Sequence, residues 1–185
     1  MSQPIHTLST SEHPAAIETL VSAFLRDGSI VPFVHGPDPK VQQERLLTRF
    51  STLVADPTVE VVASEDYNCV SVWERKTVED KEAAAPTQQP RQEVADFFKK
   101  VYDIGPPKPY LYLAFLATKV AGKGAGSNML RQKLALLDVE EPTGKKAQVY
   151  LWTANPANVE FYKKFGFVVY SEVHLQASAW WMVRE

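Results

Sequence analysis

The chain has 185 residues, which suits one α/β domain with a full core and leaves little room for a second domain. Its apolar fraction of 45% and charged fraction of 23% are ordinary for a globular protein, and a formal net charge of −2 gives no basic field that would favour nucleic acid as a partner. One cysteine excludes an internal disulfide, no apolar run approaches the roughly 20 residues of a membrane span, and no signal peptide is recognisable, so we expect a cytoplasmic protein.

The first part of the chain predicts a short strand at 5–8 and then two amphipathic helices. The first helix follows from apolar residues spaced i, i+3, i+4 and i+7 and ends at Gly28. The second begins at Asp38-Pro39, a cap followed by proline at the first helical position, and carries an apolar face as far as Val54. Between them, residues 29–36 are unusually apolar for a loop, which fits either a loop packed on the core or a lip over a substrate site.

A β-hairpin and a polar insert come next. Residues 59–63 and 68–73 have the composition of paired strands around a tight turn. Cys69 lies in the second of these strands with no nucleophilic partner beside it, so we interpret it as a small core or surface residue. Residues 74–92 are charged and rich in Ala, Pro and Gln, which predicts a mobile loop inside a single domain spanning residues 1–185.

The second half of the chain alternates helices and strands. Asn155-Pro156 caps and starts the last clear helix, and Gly166 stands where a left-handed helix end is wanted. A polar turn or bulge near Ser171 and Glu172 is expected to join the two closing strands. The predicted helices span 93–102, 128–138 and 155–165, and the predicted strands span 111–117, 147–153, 167–170 and 173–183.

The stretch from Leu111 to Ser127 organises the rest of the sequence. It passes from a buried strand through glycines at 122, 124 and 126 into the start of a helix. Glycines let a ligand approach the main chain, and free N–H groups at a helix start attract phosphate oxygens. The stretch is not a P-loop, because no Gly-Lys-Ser/Thr follows a four-residue spacer, and it lacks the dinucleotide-binding spacing. Alone, it is an ambiguous phosphate cradle.

A second motif follows about thirty residues later, running from Asn155 to Phe167 as Asn-Pro-Ala-Asn-Val-Glu-Phe-Tyr-Lys-Lys-Phe-Gly-Phe. The two motifs together resemble the GNAT superfamily of acyl-CoA-dependent N-acyltransferases. In that family the pyrophosphate turn has the sequence pattern Gln/Arg-x-x-Gly-x-Gly/Ala. The next helix carries the pattern Asn-x-x-x-x-x-Phe-Tyr-x-x-x-Gly-Phe. Ala121 stands where the family usually has Gln or Arg, and Thr118 stands where a proline is common. Three further features resemble the puromycin N-acetyltransferase-like branch: Val72-Trp73, the long insert and Trp180-Trp181-Met182.

The resemblance covers most of the chain and implies a fold and an activity. The fold is α/β (α+β): a central mixed, mostly antiparallel, splayed sheet flanked by helices. The activity is direct transfer of an acetyl group from acetyl-CoA to the primary amine of a small molecule, without a metal. A protein or peptide amine as acceptor, and a non-catalytic acyl-CoA-binding regulatory module, remain as alternatives. We expect neither nucleic acid nor membrane as a partner, and monomer and homodimer both stay open.

The resemblance also implies roles for individual residues. The N–H of Leu116 is expected to stabilise the thioester oxygen, and the phenol of Tyr162 to protonate the leaving thiolate; the alternative for Tyr162 is a core tyrosine. Asn158 can face the pantetheine amides, Lys123 can assist a phosphate, and Asn155 is more readily a cap than a ligand. The expected coenzyme-binding residues are Leu116, Ala117, Thr118, Ala121, Gly122, Lys123, Gly124, Ala125, Gly126, Ser127, Asn155, Asn158, Phe161 and Tyr162.

The group that takes the proton from the amine is left open by the sequence. Glu74, Glu172, His174 and Tyr110 all fall near predicted strand ends, where each could act directly or through water, although each alone is more often a solvated side chain. Tyr112 and Trp152 could line the acceptor pocket or fill the core.

Overall fold

Seven strands form one sheet in the computed structural model, which describes residues 3–79, 91–140 and 147–185. The order of the strands across the sheet is β1-β2-β3-β4-β5-β7-β6. All neighbours pair antiparallel except β4 and β5, which are parallel. The expected fold class, a mixed and mostly antiparallel sheet flanked by helices, is confirmed. The strands are β1 (Ile5–Thr7), β2 (Val59–Ser64), β3 (Cys69–Lys76), β4 (Tyr110–Thr118), β5 (Val149–Thr153), β6 (Phe167–His174) and β7 (Ser178–Arg184).

Six α-helices accompany the sheet within the described ranges, and two of them begin at the caps that the sequence predicts. Asp38 accepts a hydrogen bond from the Lys40 amide at 2.9 Å, and Asn155 accepts one from the Ala157 amide at 3.0 Å. Each cap is followed by a proline, which has no amide N–H to leave unsatisfied at the first helical position. The helices are α1 (His13–Arg26), α2 (Val31–His35), α3 (Pro39–Val54), α4 (Gln92–Asp103), α5 (Ala125–Glu140) and α6 (Pro156–Lys163).

The helices cover the two faces of the sheet. On one side, here called the α5/α6 face, Leu130 of α5 and Tyr162 of α6 pack in one cluster with Trp73 and Leu151 from the strands. The opposite side, here called the α1/α4 face, has two clusters. One lies under α1 and α3, and the other joins α4 to β5, β6 and β7. The sheet is thus buried on both sides, which explains the long apolar runs in its central strands.

The parallel pair at the centre of the sheet separates soon after it begins. β4 and β5 pair only at Leu111–Val149 and Tyr112–Tyr150, after which β4 runs on to Thr118 and β5 to Thr153 without pairing. The opening between the two strands beyond Tyr112 and Tyr150 is called the fork below. Main-chain groups that face the fork have no neighbouring strand to bond.

Two local predictions need correction on the N-terminal side. Residues 29–36 are not a loop, because Val31–His35 forms the short helix α2 and Val31 is buried. The polar insert begins later than expected, because β3 continues to Lys76 through its pairing with β4. Residues 80–90 of the predicted mobile loop lie outside the described residues.

The closing hairpin also differs from its prediction. β6 continues through Ser171 and Glu172 to His174, and the turn falls at 175–177, where the Leu175 amide bonds the Ala177 carbonyl at 3.0 Å. A register shift lies between Val169 and Ser171, so the bulge expected near Ser171 is confirmed and the turn there is wrong. The bulge interrupts the alternation of side chains, which makes one strand look like two in the sequence.

Candidate active site at the fork

The open edge of β4 presents main-chain groups to the fork. The Lys119 amide donates to the Asn68 carbonyl at 2.8 Å, which fixes Lys119 as a residue that bonds β3. Because hydrogen-bonded and non-bonded positions alternate along an antiparallel pair, Ala117 also bonds β3, whereas Thr118 and Leu116 point the other way. The Thr118 carbonyl indeed accepts a hydrogen bond from the Arg26 side chain instead of from β3. The Leu116 amide therefore faces the fork.

A bulge interrupts the pairing of β3 and β4 near the base of the fork. Val72 pairs with Phe115 and Trp73 with Leu113, which leaves Ala114 opposite no residue of β3. A bulged residue is left unpaired, so the ladder itself assigns no partner to its amide. No sequence signal marks Ala114, because the surrounding strand is apolar on both faces and an extra residue does not disturb a visible alternation.

The glycine-rich turn leads from β4 into α5. Gly122 and Gly124 have φ of 75° and 79°, and a Cβ atom on either would meet nothing within 4 Å, so these positions need glycine for its conformation and not for space. The first helical bond joins the Asn128 amide to the Gly124 carbonyl at 2.9 Å. The amides that precede it, those of Ala125, Gly126 and Ser127, have no acceptor within the helix, and Gly124 has no side chain to cap them.

Three elements converge at Gly126. A Cβ atom built there lies 3.7 Å from the side chains of Leu116, Thr118 and Phe161. The start of α5, the end of β4 and α6 therefore touch at one point, which joins the two sequence motifs in space. An alanine fits at this distance, whereas a larger side chain would enter the space that β4, α5 and α6 share.

The remaining residues predicted to bind the coenzyme differ in whether their side chains can reach the fork. Ala121 and Lys123 are exposed in the turn. The Ala117 side chain is buried on the α1/α4 face, and its amide bonds β3, so neither of them reaches the fork. The side chain of Asn155 caps α6, as the sequence favoured. Asn158 donates to the Thr153 hydroxyl at 3.2 Å beside the end of β5, and no residue in the described part of the chain bonds its side-chain carbonyl oxygen.

Tyr162 lies on the α5/α6 face with its phenol nearly buried, at 8% exposure. Its ring packs edge-on against Phe161 and Phe167, with centroids 5.2 and 5.7 Å apart. Burial, with a smaller electrostatic effect of Cys69, raises the pKa of Tyr162 above the usual 10.0. No described residue bonds its hydroxyl, and no fully buried side-chain oxygen in the described ranges lacks a partner, so the hydroxyl retains contact with solvent. Cys69 is buried in the same cluster, so of the two predicted positions, core and surface, the structure shows the core. Burial, with the charge of Asp66, raises the pKa of its thiol to about 12.

Aromatic side chains line the α1/α4 face of the fork. Phe115 of β4 meets Phe24 and Phe50 edge-on, at 5.3 and 5.1 Å between centroids. Across the fork, Trp152 of β5 contacts Phe98 of α4 at 6.0 Å. The short helix α2 lies between these two groups, because Ile30 beside it packs into both clusters and Phe33 meets Phe97 at 5.5 Å.

Charged side chains stand at the base of the fork on the same face. Glu74 pairs with Tyr112 across β3 and β4 and forms an ion pair with Lys76, whose ammonium lies 5.7 Å from the Tyr112 ring centre. Burial raises the pKa of Tyr112 well above its usual value; Tyr102, Glu74 and Tyr110 add to this, and Arg49 opposes it. Tyr112 therefore lies within the electrostatic reach of Glu74 and Arg49.

The other candidate bases lie elsewhere. Glu172 accepts a hydrogen bond from the Trp180 indole at 3.1 Å and lies 3.6 Å from His174, on the exposed surface of the β6–β7 hairpin. Trp180 packs against the core of the α5/α6 face, which places this group on the side of α6. Tyr110 lies below the fork, in contact with Tyr112, Tyr150 and Trp181.

Two features are absent from the described ranges. No group of three or more His, Cys, Asp or Glu side chains there could hold a metal ion. None of the described helices has the length and apolar character needed to cross a bilayer.

No protein-family model and no curated protein matches the sequence. Solved structures do match. A structure described as histone acetyltransferase HPA2 and related acetyltransferase, from Corynebacterium glutamicum, is 20% identical with a TM-score of 0.67, over 98% of this chain and 96% of that one. Arylalkylamine N-acetyltransferase 2 from Aedes aegypti is 12% identical with a TM-score of 0.68, over 100% and 99% of the two chains. The PaiA N-acetyltransferase from Thermoplasma acidophilum, in complex with coenzyme A, is 13% identical with a TM-score of 0.56, over 100% and 99%.

These similarities cover both chains almost completely in each comparison. At such low identity they show a shared fold, which is the fold of the GNAT acetyltransferases.

Proposed function

We propose that this protein is a GNAT-type N-acetyltransferase that moves an acetyl group from acetyl-CoA to the primary amine of a small molecule, by direct attack in a ternary complex. One observation carries the proposal: the unpaired edge of β4 leads directly into a glycine-rich turn and an uncapped helix start. The edge of β4 offers amides to a pantetheine arm, and the turn with the helix start offers amides to a pyrophosphate. Both the shared fold and the coenzyme A complex of one structural neighbour support it.

The coenzyme would bind mainly to the main chain. The amides at the start of α5 and in the glycine turn would hold the pyrophosphate, with the exposed Lys123 adding a cation. The pantetheine arm would extend from there along the open edge of β4, where Leu116 offers its amide. Asn158, with one amide oxygen left over at the end of β5, would face the arm from the other side. Ala121 adds no side-chain contact, so affinity would rest on backbone groups.

The thioester would lie near the base of the fork. A pyrophosphate at the turn and a pantetheine arm running along β4 place the thioester toward Tyr112, past Leu116. At a rise of about 3.3 Å per residue, Ala114 lies roughly 13 Å from Thr118 along the strand. We therefore assign the developing oxyanion to the amide of Ala114. The amide of Leu116, the donor that the sequence predicted, would instead bond the adjoining part of the arm. Such a fixed donor stabilises charge that grows in the transition state.

The transfer needs one proton acceptor and one proton donor. The amine nitrogen forms a bond to the thioester carbon, the carbon–sulfur bond breaks, and sulfur leaves as a thiolate. Tyr162 would give that thiolate a proton, because burial keeps the phenol protonated. Glu74 would take the amine proton, directly or through water. Among the four candidates it is the carboxylate on the α1/α4 face beside the base of the fork.

The acceptor would approach from the α1/α4 face. The α5/α6 face carries the coenzyme turn and the contact of Gly126 with Phe161, so direct attack on the thioester leaves the opposite side to the amine. Arylalkylamines are the substrates in the name of one structural neighbour, and the aromatic lining around Phe115 and Trp152 fits acceptors of that kind. Assignment to the puromycin N-acetyltransferase-like branch, the cytoplasmic location and the oligomeric state stay predictions.

Release of free thiol tests this function. The protein is mixed with acetyl-CoA and a panel of arylalkylamines, polyamines and lysine peptides, and coenzyme A is measured with a thiol reagent. We expect release that depends on a small amine. Release with peptides alone would favour a protein acetyltransferase. Tight acetyl-CoA binding without release for any amine would indicate the non-catalytic module.

A further inference from the structure

An exposed arginine lies over the α1/α4 face of the fork. The guanidinium carbon of Arg49, on α3, lies 5.3 Å from the ring centre of Phe115, which follows the bulged Ala114. Within the described ranges Arg49 forms no ion pair and no hydrogen bond. Its charge also acts on Tyr112, two residues before Ala114, so it lies beside the part of β4 where the thioester is placed.

A second cation, Arg45, lies near Arg49, because the charges of both act on His35. His35 on α2 has its pKa lowered to about 4 by burial and by the charges of Arg49 and Arg45, so its imidazole is neutral at pH 7. Lys76 is paired with Glu74, the acidic group of this part of the fork. Nothing among these described neighbours neutralises Arg49, and a dicationic polyamine would be repelled by it.

Glu74 and Arg49 act on Tyr112 with opposite sign, which gives the base of the fork a dipolar character. An ammonium or amine is attracted toward Glu74, and an anionic substituent is attracted toward Arg49. Guanidinium groups bind carboxylate and phosphonate groups well because they present two parallel donors. The aromatic side chains of Phe115, Trp152 and Phe98 surround the remaining space.

We propose that the acceptor is an aromatic amine that also carries a carboxylate or phosphonate near its amino group, as an aromatic amino acid does, and that Arg49 binds this anion. The proposal rests on the acetyltransferase function given above. It makes Arg49 the residue that determines specificity between zwitterionic amines and simple or polycationic amines.

A pair of matched acceptors tests the proposal. Phenylalanine and phenethylamine differ only in the carboxylate, and kcat/KM for each is measured by thiol release with saturating acetyl-CoA. The ratio of the two values is compared between the wild type, Arg49→Met and a control, Lys40→Met, which removes an exposed cation from the first turn of the same helix. Because each substrate is compared with itself across variants, the different basicities of the two amines cancel.

We expect phenylalanine to be the better acceptor and its advantage to fall about tenfold in Arg49→Met while staying unchanged in Lys40→Met. Arg49→Lys should keep part of the advantage. The phosphonate analogue of phenylalanine, run beside it, shows which of the two anions is preferred. Unchanged acetyl-CoA affinity in Arg49→Met confirms that the variant is folded.

The same ratio in Arg49→Met and in the wild type would overturn the proposal, as would a preference for a polyamine over phenylalanine. Both outcomes leave the acetyltransferase function standing, because an amine is still acetylated. Failure of every amine together with failure of acetyl-CoA to bind would instead overturn the function itself, and the anion site with it.

Discussion

On the α5/α6 face of the fork the main chain supplies the polar groups, whereas on the α1/α4 face side chains supply them. The amides of Leu116 and of residues 125–127 come from one continuous stretch. Glu74, Arg49 and Phe98 come from three elements far apart in sequence. A site made of backbone can be recognised from a local motif. A site made of side chains forms only when distant elements pack together. Its residues can be substituted without changing the backbone site on the opposite face.

The largest effect is expected on the side-chain face. Glu74→Gln keeps the shape of the side chain but cannot accept the amine proton, so kcat/KM should fall by about 10² to 10³ with acetyl-CoA affinity unchanged. Steady-state rates and a calorimetric titration measure the two quantities. Glu172→Gln removes the competing carboxylate on the hairpin and should stay within about twofold of the wild type. Reversal of these two results would place the base at the hairpin.

Tyr162→Phe tests the proton donor on the other face. Loss of the hydroxyl should lower kcat by about 10- to 100-fold, because the thiolate must leave without its proton. Since burial raises the pKa of Tyr162, the phenol stays protonated as the pH rises toward about 10, and wild-type kcat should show no fall from its ionisation there. The pH profile of kcat for both proteins measures this. Equal kcat for Tyr162→Phe at every pH would leave Tyr162 as a core residue.

Substitutions of Gly126 by a large and a small side chain test the backbone face. Gly126→Leu places a side chain among Leu116, Thr118 and Phe161, which already lie 3.7 Å from an added Cβ, and should weaken acetyl-CoA binding by about 30-fold. Gly126→Ala makes only ordinary contacts and is the matched control, with an expected change below about threefold. Calorimetry gives both affinities. Equal weakening by alanine and leucine would mean that the coenzyme needs the glycine itself.

Lys123→Ala gives the smallest effect. An exposed cation near a phosphate is worth about 0.5 to 1 kcal/mol, so affinity for acetyl-CoA should fall about two- to fivefold and the loss should shrink at high salt. Lys164→Ala, an exposed lysine just after α6, serves as control. A loss from Lys123→Ala that is as large as that from Gly126→Leu would show that side chains, and not the backbone, hold the pyrophosphate.

The sequence predicted the elements that form the backbone face far better than those that form the side-chain face. Gly126 and Phe161 belong to motifs whose spacing alone indicates a strand, turn and helix, and they meet in the structure. The bulge at Ala114 was not predicted, because its strand is apolar on both faces and shows no alternation that a bulge would interrupt. The helix α2 escaped because five residues starting with Val31-Pro32 carry no helical periodicity, and packing on Phe97 stabilises them. Arg49 escaped because its partner Phe115 lies in a strand 66 positions later.

Titration of the protein with acetyl-CoA in a calorimeter tests the central claim most directly, because we propose that the backbone face of the fork holds that molecule. We predict saturable binding to one site per chain that is weakened by Gly126→Leu and retained by Gly126→Ala. Absence of saturable binding to the folded wild-type protein would contradict the assignment of the fork as a coenzyme A site.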